Sequence, residues 1–302
     1  MRDLKANMEL GVMNKIFLAA LAGTAMIAMA GCSSTSGNSS PGDPGAGGGG
    51  SQGGEPSGGD GNYTVGGTTV QLRNGSVTSV TDTTGDYTED DNGNLSVSFT
   101  SGPYAGQSVS FSEGSDTADL DGQTATLEAF LGSDNDNSTS GALYITVDGE
   151  NDEGNGNFLA LYSGDTVSDL PQEGTGTYRG DYFGSAQNGE AGGLVSGSSE
   201  IAVDFQSGAV SGDFSDLTIY DGDDAIGAMD DVGFAGTLDK NSASYVANSV
   251  TIGGAAAGEG SLVQGSLYGA GADSTAGSVA AFDNADNPTK ATVGVFQADL
   301  AD

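Results

Sequence analysis

Apolar and polar residues alternate along SSEIAVDFQSGAVSGDFSDL, residues 198–217: Ile201, Val203 and Phe205 before Ser207-Gly208, then Val210, Gly212 and Phe214 after it. A period of two marks a strand with one buried face. A Gly-containing pair between two such runs predicts a hairpin turn. The same pattern gives eight strand candidates in the C-terminal half: Thr177–Gly184, Ser199–Phe205, Ala209–Leu217, Gly233–Leu238, Tyr245–Ile252, Ser261–Tyr268, Gly277–Phe282 and Thr292–Ala298. Gly180, Gly212, Gly236 and Gly294 fall on their apolar faces. Glycine weakens an open sheet but permits the bends of a small closed barrel, and about eight strands close around an interior that side chains fill. Closure also removes exposed strand edges. The pattern therefore predicts an all-β chain with an eight-stranded antiparallel up-and-down barrel over residues 174–302, its inward side chains sparse, small and uncharged.

Residues 62–173 predict a smaller β-rich, handle-like region before the barrel. Alternating runs occur at Thr68–Arg73, Leu95–Phe99, Gln107–Phe111, Leu143–Val147 and Phe158–Tyr162. Asn74-Gly75, Asn92-Gly93, Asp121-Gly122 and Asp148-Gly149 supply turn chemistry between them. Thr124–Leu131 fits either a strand or one short helix. Residues 33–61, SSTSGNSSPGDPGAGGGGSQGGEPSGGDG, hold nothing that could seed a core and predict a disordered tether of roughly 30 Å mean reach.

Charge and composition narrow the function. The 302 residues carry 42 acidic and 7 basic side chains, a formal net charge of −35. Neutralising phosphates takes cations, so the chain is no nucleic-acid binder, and charge alone will not dock it on an anionic membrane. Acidity on this scale fits solubility in salt. Histidine is absent, which removes Ser-His-Asp and Cys-His catalysis and His-ligated zinc. Residues 174–180 only approach G-x-G-x-x-G and open a strand rather than a helix, so they make no dinucleotide site. Carboxylate pairs can run glycoside hydrolysis without histidine, but 42 acids produce chance pairs in any fold. The expectation is a protein that is not an enzyme.

The single cysteine, Cys32, permits no internal disulfide. Before it lie Asn14-Lys15 and an apolar stretch from Ile16 to Ala30, the profile of a signal peptide over residues 1–31 that starts at Met1 or Met13. Met29-Ala30-Gly31-Cys32 resembles the bacterial lipobox, with Met29 where leucine is commoner. That resemblance implies cleavage before Cys32, diacylglyceryl and palmitate-type acyl chains on it, and stable anchoring. Residues 32–61 would then be the acylated cysteine and its tether. Ser33, in place of the aspartate associated with inner-membrane retention, implies the outer membrane.

The stretch LYSGDTVSDLPQEGTGTYRGDYFG, Leu161–Gly184, resembles the junction of transferrin-binding-protein-like surface lipoproteins, G-x-T-P-x-x-x-x-P-x-x-G leading into Y-x-G-x-x-x-G. Gly164, Thr166, Pro171, Gly174, Tyr178, Gly180 and Gly184 match, and Val167 replaces the first proline. The V-D-F-x-x-G-x-V-S-G-x-F hairpin of that family stands at Val203–Phe214. Its late G-P-x-A-x-E-x-G-G turn survives in part as Gly269–Gly277, and a closing G-V-F-x-A occupies Gly294–Ala298. The resemblance is good over Phe158–Ala298 and loose over Asn62–Ala142. It implies an eight-stranded barrel with a handle, displayed on the cell surface, that binds a protein or a small solute, iron and haem complexes included, through handle and barrel loops. The matched positions are structural and name no ligand.

Without histidine, haem or iron would need Tyr or carboxylate ligands. Oxygen-rich turns offer weak calcium candidates at Asp134, Asp136, Asp148, Asp152, Asp221 and Asp223. No other cofactor is expected, and the chain is expected to be a monomer. A structural or adhesive surface module with calcium-binding loops is the second function consistent with these residues.

Overall fold

The computed structural model describes residues 62–73, 75–90, 94–132, 140–148, 156–165 and 167–301. Among them there is no helix. The strands divide into two sheets that meet only through side chains and connections.

The first sheet uses β1 (Asn62–Arg73), β2 (Ser76–Glu89), β3 (Leu95–Phe99), β4 (Ser108–Phe111), β5 (Thr117–Leu120), β6 (Gln123–Gly132), β7 (Ser140–Asp148) and β8 (Gly156–Gly164). They pair antiparallel in the order β4-β3-β2-β1-β8-β7-β6-β5, curled around a core of its own that includes Val65, Val97, Phe99, Leu120, Ile145 and Leu159. No hydrogen-bonded pairing closes β4 onto β5, so this handle is a nearly closed ring. Thr124–Leu131 is strand, within β6. Asp121 and Gly122, at φ 58° and 75°, make the tight β5–β6 turn that the Asp-Gly pair demands.

The second sheet contains β9 (Thr175–Asn188), β10 (Ala191–Asp204), β11 (Ala209–Asp221), β12 (Asp224–Ala228), β13 (Val232–Asp239), β14 (Ser244–Ile252), β15 (Ala255–Ala256), β16 (Leu262–Tyr268), β17 (Ser274–Phe282) and β18 (Lys290–Leu300). Following the pairings β10-β9-β18-β17-β16-β14-β13-β11 and back to β10 closes a ring of eight, the barrel expected from the alternation. The short β12 and β15 ride on β11 and β14. The hairpin around Ser207-Gly208 forms as predicted: Gly208 sits at φ 76°, and Asp204 Oδ1 accepts from the backbone of Gln206 and Ser207 at 2.8 and 3.1 Å.

The barrel interior departs from the expectation of sparse, small residues. Phe214 lies 5.1 Å from both Tyr182 and Phe296 and 5.9 Å from Phe234, which in turn stacks on Tyr245 at 6.3 Å. The glycines make room for these rings. Gly212 pairs across the sheet with Phe234, and a Cβ there would stand 2.7 Å from its ring; Gly277 stands in the same relation to Phe296. Cross-strand ring-over-glycine packing fills the bore with large side chains although many inward positions have none. The inward set is uncharged as expected, but it is aromatic.

Handle and barrel lie against each other. Val70, Ala129, Ala142, Tyr144, Ala160 and Tyr162 of the handle pack on Phe183, Ala276, Ala280, Val293 and Val295 of the barrel. Thr68 Oγ1 meets Ser278 Oγ at 2.9 Å, and Gln264 Nε2 donates to Gly67 O and Thr68 Oγ1 at 2.9 and 3.0 Å. Because β17 faces the bore on one side and the handle on the other, every one of its residues is buried.

Candidate functional site

The barrel has two unlike ends. Residues 205–208, 240–243 and 269–273 turn the chain tightly at one of them. The acids that lead into the first two, Asp204 and Asp239, serve those turns. Asp204 is held below the usual carboxylate range by its hydrogen bonds from Ser207 and Gln206, and Asp239 by those from Asn241 and Ser242. The other end carries the long connections: 222–231 with β12 inside it, 253–261 with β15, and 283–289. Loops that exceed what a turn requires are where binding residues concentrate, so this end is the candidate site.

Three contacts organise it. Asn188 Nδ2 donates to Ala228 O at 2.8 Å and ties the β9–β10 turn to β12. Lys290 Nζ meets Asp230 Oδ2 at 2.5 Å, clipping the base of the 283–289 connection to the 222–231 connection. The hydrogen bond to Asp230 and its charge raise the Lys290 pKa. The third contact brings in the handle: Val77 N donates to Ala285 O at 2.9 Å and Ser76 Oγ to Asp286 O. The handle's β1–β2 turn is thus part of the same surface.

The end is acidic, with Glu190, Asp221, Asp223, Asp224, Asp230, Asp231, Glu259, Asp283 and Asp286 in or beside these connections. Burial alone would push the Asp283 carboxyl up, but hydrogen bonds from Thr289 and Lys290 N together hold it down. On β12, Ile226 is 43% exposed in the middle of this acidic run.

The sequence-derived calcium candidates divide. Asp221 and Asp223 lie at the β11–β12 turn on this end. Asp148 closes β7 opposite Gly156, whose other partner is Leu72, so it sits at the same end of the handle as the β1–β2 turn. Cys32, Asp134, Asp136 and Asp152 lie outside the described residues. Among the described residues no three acidic, histidine or cysteine side chains converge on a metal-sized site. The buried tyrosines are not poised as phenolate ligands either. Burial pushes Tyr182 and Tyr245 well up, and their hydroxyls are engaged with Thr292 and Thr275 at 2.6 and 2.8 Å. Sequence reasoning missed the docked handle turn and the Lys290–Asp230 clip, which join residues 60 or more positions apart and leave no local signal.

No protein-family model matches the chain, and no curated protein does. Solved structures do. The chain is similar to transferrin binding protein B. Against a double mutant of that protein from Haemophilus parasuis the identity is 16% and the TM-score 0.45, over 78% of this chain and 44% of that one, so the chain spans under half of its length. A mutant of the Actinobacillus pleuropneumoniae protein matches at 14% and 0.41, over 80% of this chain and 99% of the other. The crystal structure of a surface lipoprotein matches at 15% and 0.39, over 79% and 98%.

Proposed function

We propose that this protein is a non-enzymatic surface lipoprotein of the outer membrane, anchored through Cys32, that binds a protein partner with the end of the molecule formed by the long barrel connections and the handle's β1–β2 turn. The observation that carries the reading is the polarity of the fold. The bore is packed with rings, so a ligand meets the outside of the barrel. Every long barrel connection lies at one end. β1 starts at Asn62 and runs 12 residues, roughly 40 Å at strand spacing, before its Arg73 end reaches that surface. A tether over residues 33–61 therefore joins the fold at the far end and holds the long connections away from the bilayer. The family resemblance of the junction and the Val203–Phe214 hairpin supports the same reading. A surface assembled from several separate connections suits a protein partner better than a small solute, which takes a concave pocket.

The test is photo-crosslinking on intact cells. A crosslinker at Ile226 is expected to capture one partner reproducibly, while the same group at Asn241, on the tight-turn end, captures none. Equal capture at both positions overturns the assignment of the surface. Cys32→Ser is expected to abolish acylation and release the chain; retention in the outer membrane overturns the anchor.

A further inference from the structure

We propose that Arg73, the last residue of β1, anchors a carboxylate of the partner, seated side-on against the Nε–H and Nη2–H edge of its guanidinium. The proposal rests on the surface assigned above and adds the chemistry that the partner brings to it. The chain after Cys32 has four basic side chains, Arg73, Arg179, Lys240 and Lys290. Arg179 Nε is paired with Glu200 at 2.7 Å, and Lys290 with Asp230. Lys240 Nζ donates to Gln206 O at 3.2 Å, on the tight-turn end. Arg73 lies at the long-connection end, beside the docked β1–β2 turn, and its bonds among the described residues go to neutral oxygens.

The guanidinium is steadied from inside the handle. Asn157 shares a face of β8 with Leu159 and Leu161 of the handle core and is 3% exposed. Its Nδ2 donates to Tyr104 Oη at 2.6 Å, and Tyr104, 4% exposed, packs against Phe99 at 5.9 Å. With Nδ2 committed there, Oδ1 is the acceptor turned to Arg73. Arg73 Nη1 reaches it at 3.4 Å and Leu72 O at 2.7 Å.

Both bonds fall on one nitrogen. The Nε–H and Nη2–H on the other edge of the plane run parallel, at the spacing of the two oxygens of a carboxylate. Among the described residues nothing accepts from them. A side chain already held through Nη1 loses less freedom when that edge is filled, which favours arginine as a dominant interface contact. A partner carboxylate elsewhere at this end would meet Asp148, Asp283 or Asp286, so Arg73 also fixes the register of docking.

Two readouts on intact cells test this. Arg73→Ala, in the chain that carries the crosslinker at Ile226, is expected to cut capture of the partner about tenfold while the circular dichroism of the purified protein stays unchanged. Undiminished capture overturns the anchor. The second readout treats Arg73→Lys with a water-soluble carbodiimide, which condenses an amine with an adjacent carboxylate into an amide and takes up the water as a urea. Mass spectrometry is expected to find position 73 joined to a carboxyl group of another protein. A link to an acid of this chain instead, or no link, overturns the proposal. Where Ile226 captures a partner but these two results fail, the anchor falls and the surface stands. Where Ile226 captures none, the surface falls and the anchor with it.

Discussion

Phe214→Ala tests whether the barrel is solid. Phe214 is 0% exposed and is the ring that joins the others, in contact with Tyr182, Phe296 and Phe234 at centroid distances of 5.1, 5.1 and 5.9 Å. The surrounding wall cannot collapse into the gap, because the ring of eight strands is hydrogen-bonded shut and its lining already includes Gly212, Gly277 and Gly294. The loss should therefore reach the range for truncating a well-packed core aromatic, about 3–5 kcal/mol. With a native state worth about 5–15 kcal/mol, that removes a large share of the stability. At about 2–4 °C per kcal/mol for a folded unit of this size, the melting point drops by roughly 6–20 °C. The chain has no tryptophan, so tyrosine fluorescence and near-ultraviolet circular dichroism are the probes in a urea or thermal titration. A loss below about 1 kcal/mol would mean that the bore has slack, and the argument that ligands meet only the outside would fall with it.

Gly180→Ala sets a Cβ 2.6 Å from Ala298 Cα and against Gln297 O, both backbone, so it should cost about 1–3 kcal/mol or more and lower soluble yield; a neutral denaturation midpoint refutes the close strand approach. Burial raises the Glu128 pKa, and Thr146, which donates to it at 2.7 Å, only partly offsets this. A carboxyl whose folded pKa lies above its unfolded one destabilises the charged form, so Glu128→Gln should be more stable than wild type at pH 7. That advantage should vanish as pH falls below the unfolded value, and a constant difference from pH 3 to 7 refutes it. With a formal charge of −35, raising sodium chloride from low concentration to about 1 M should raise the melting point through screening, and a fall would contradict that reading. In native-state hydrogen exchange the amides of Val77 and Gly269, which bond across the seam to Ala285 O and Asp165 O, should exchange before those of the β9–β10 ladder; equal protection would mean that handle and barrel open only together.

The barrel was legible because closure around a full interior enforces alternation on every strand, and each of the eight candidates from Thr177 to Ala298 falls on a strand of the ring, with only Phe205 and Ser261 one residue beyond a strand end. Its glycines were legible as positions but not as sockets. Gly212 and Phe234 are far apart in sequence, and only the register brings the ring over the gap. In the handle, Leu95–Phe99 coincides with β3, whereas β2 went unread. The buried positions of its second half are Thr83, Gly85 and Tyr87, and Thr83 is buried because its hydroxyl bonds Thr69 at 2.6 Å, a polar solution that an apolar pattern does not register. The outer face of β17 hid for a related reason. Ala276, Ser278 and Ala280 look like a solvent face and prove to be half of the seam. The acidic loops were visible as composition, but which end of the barrel they share depends on strand direction.

Both extremities of the folded chain lie at the tight-turn end. Asn62 opens β1 there, and Ala301 N bonds Thr177 O beside the start of β9. A reporter protein or affinity tag fused behind Ala301 would therefore hang at the tight-turn end and leave the opposite pole unobstructed. Enlarging the hairpin tip at residues 222–223 would instead place new residues at that outermost pole.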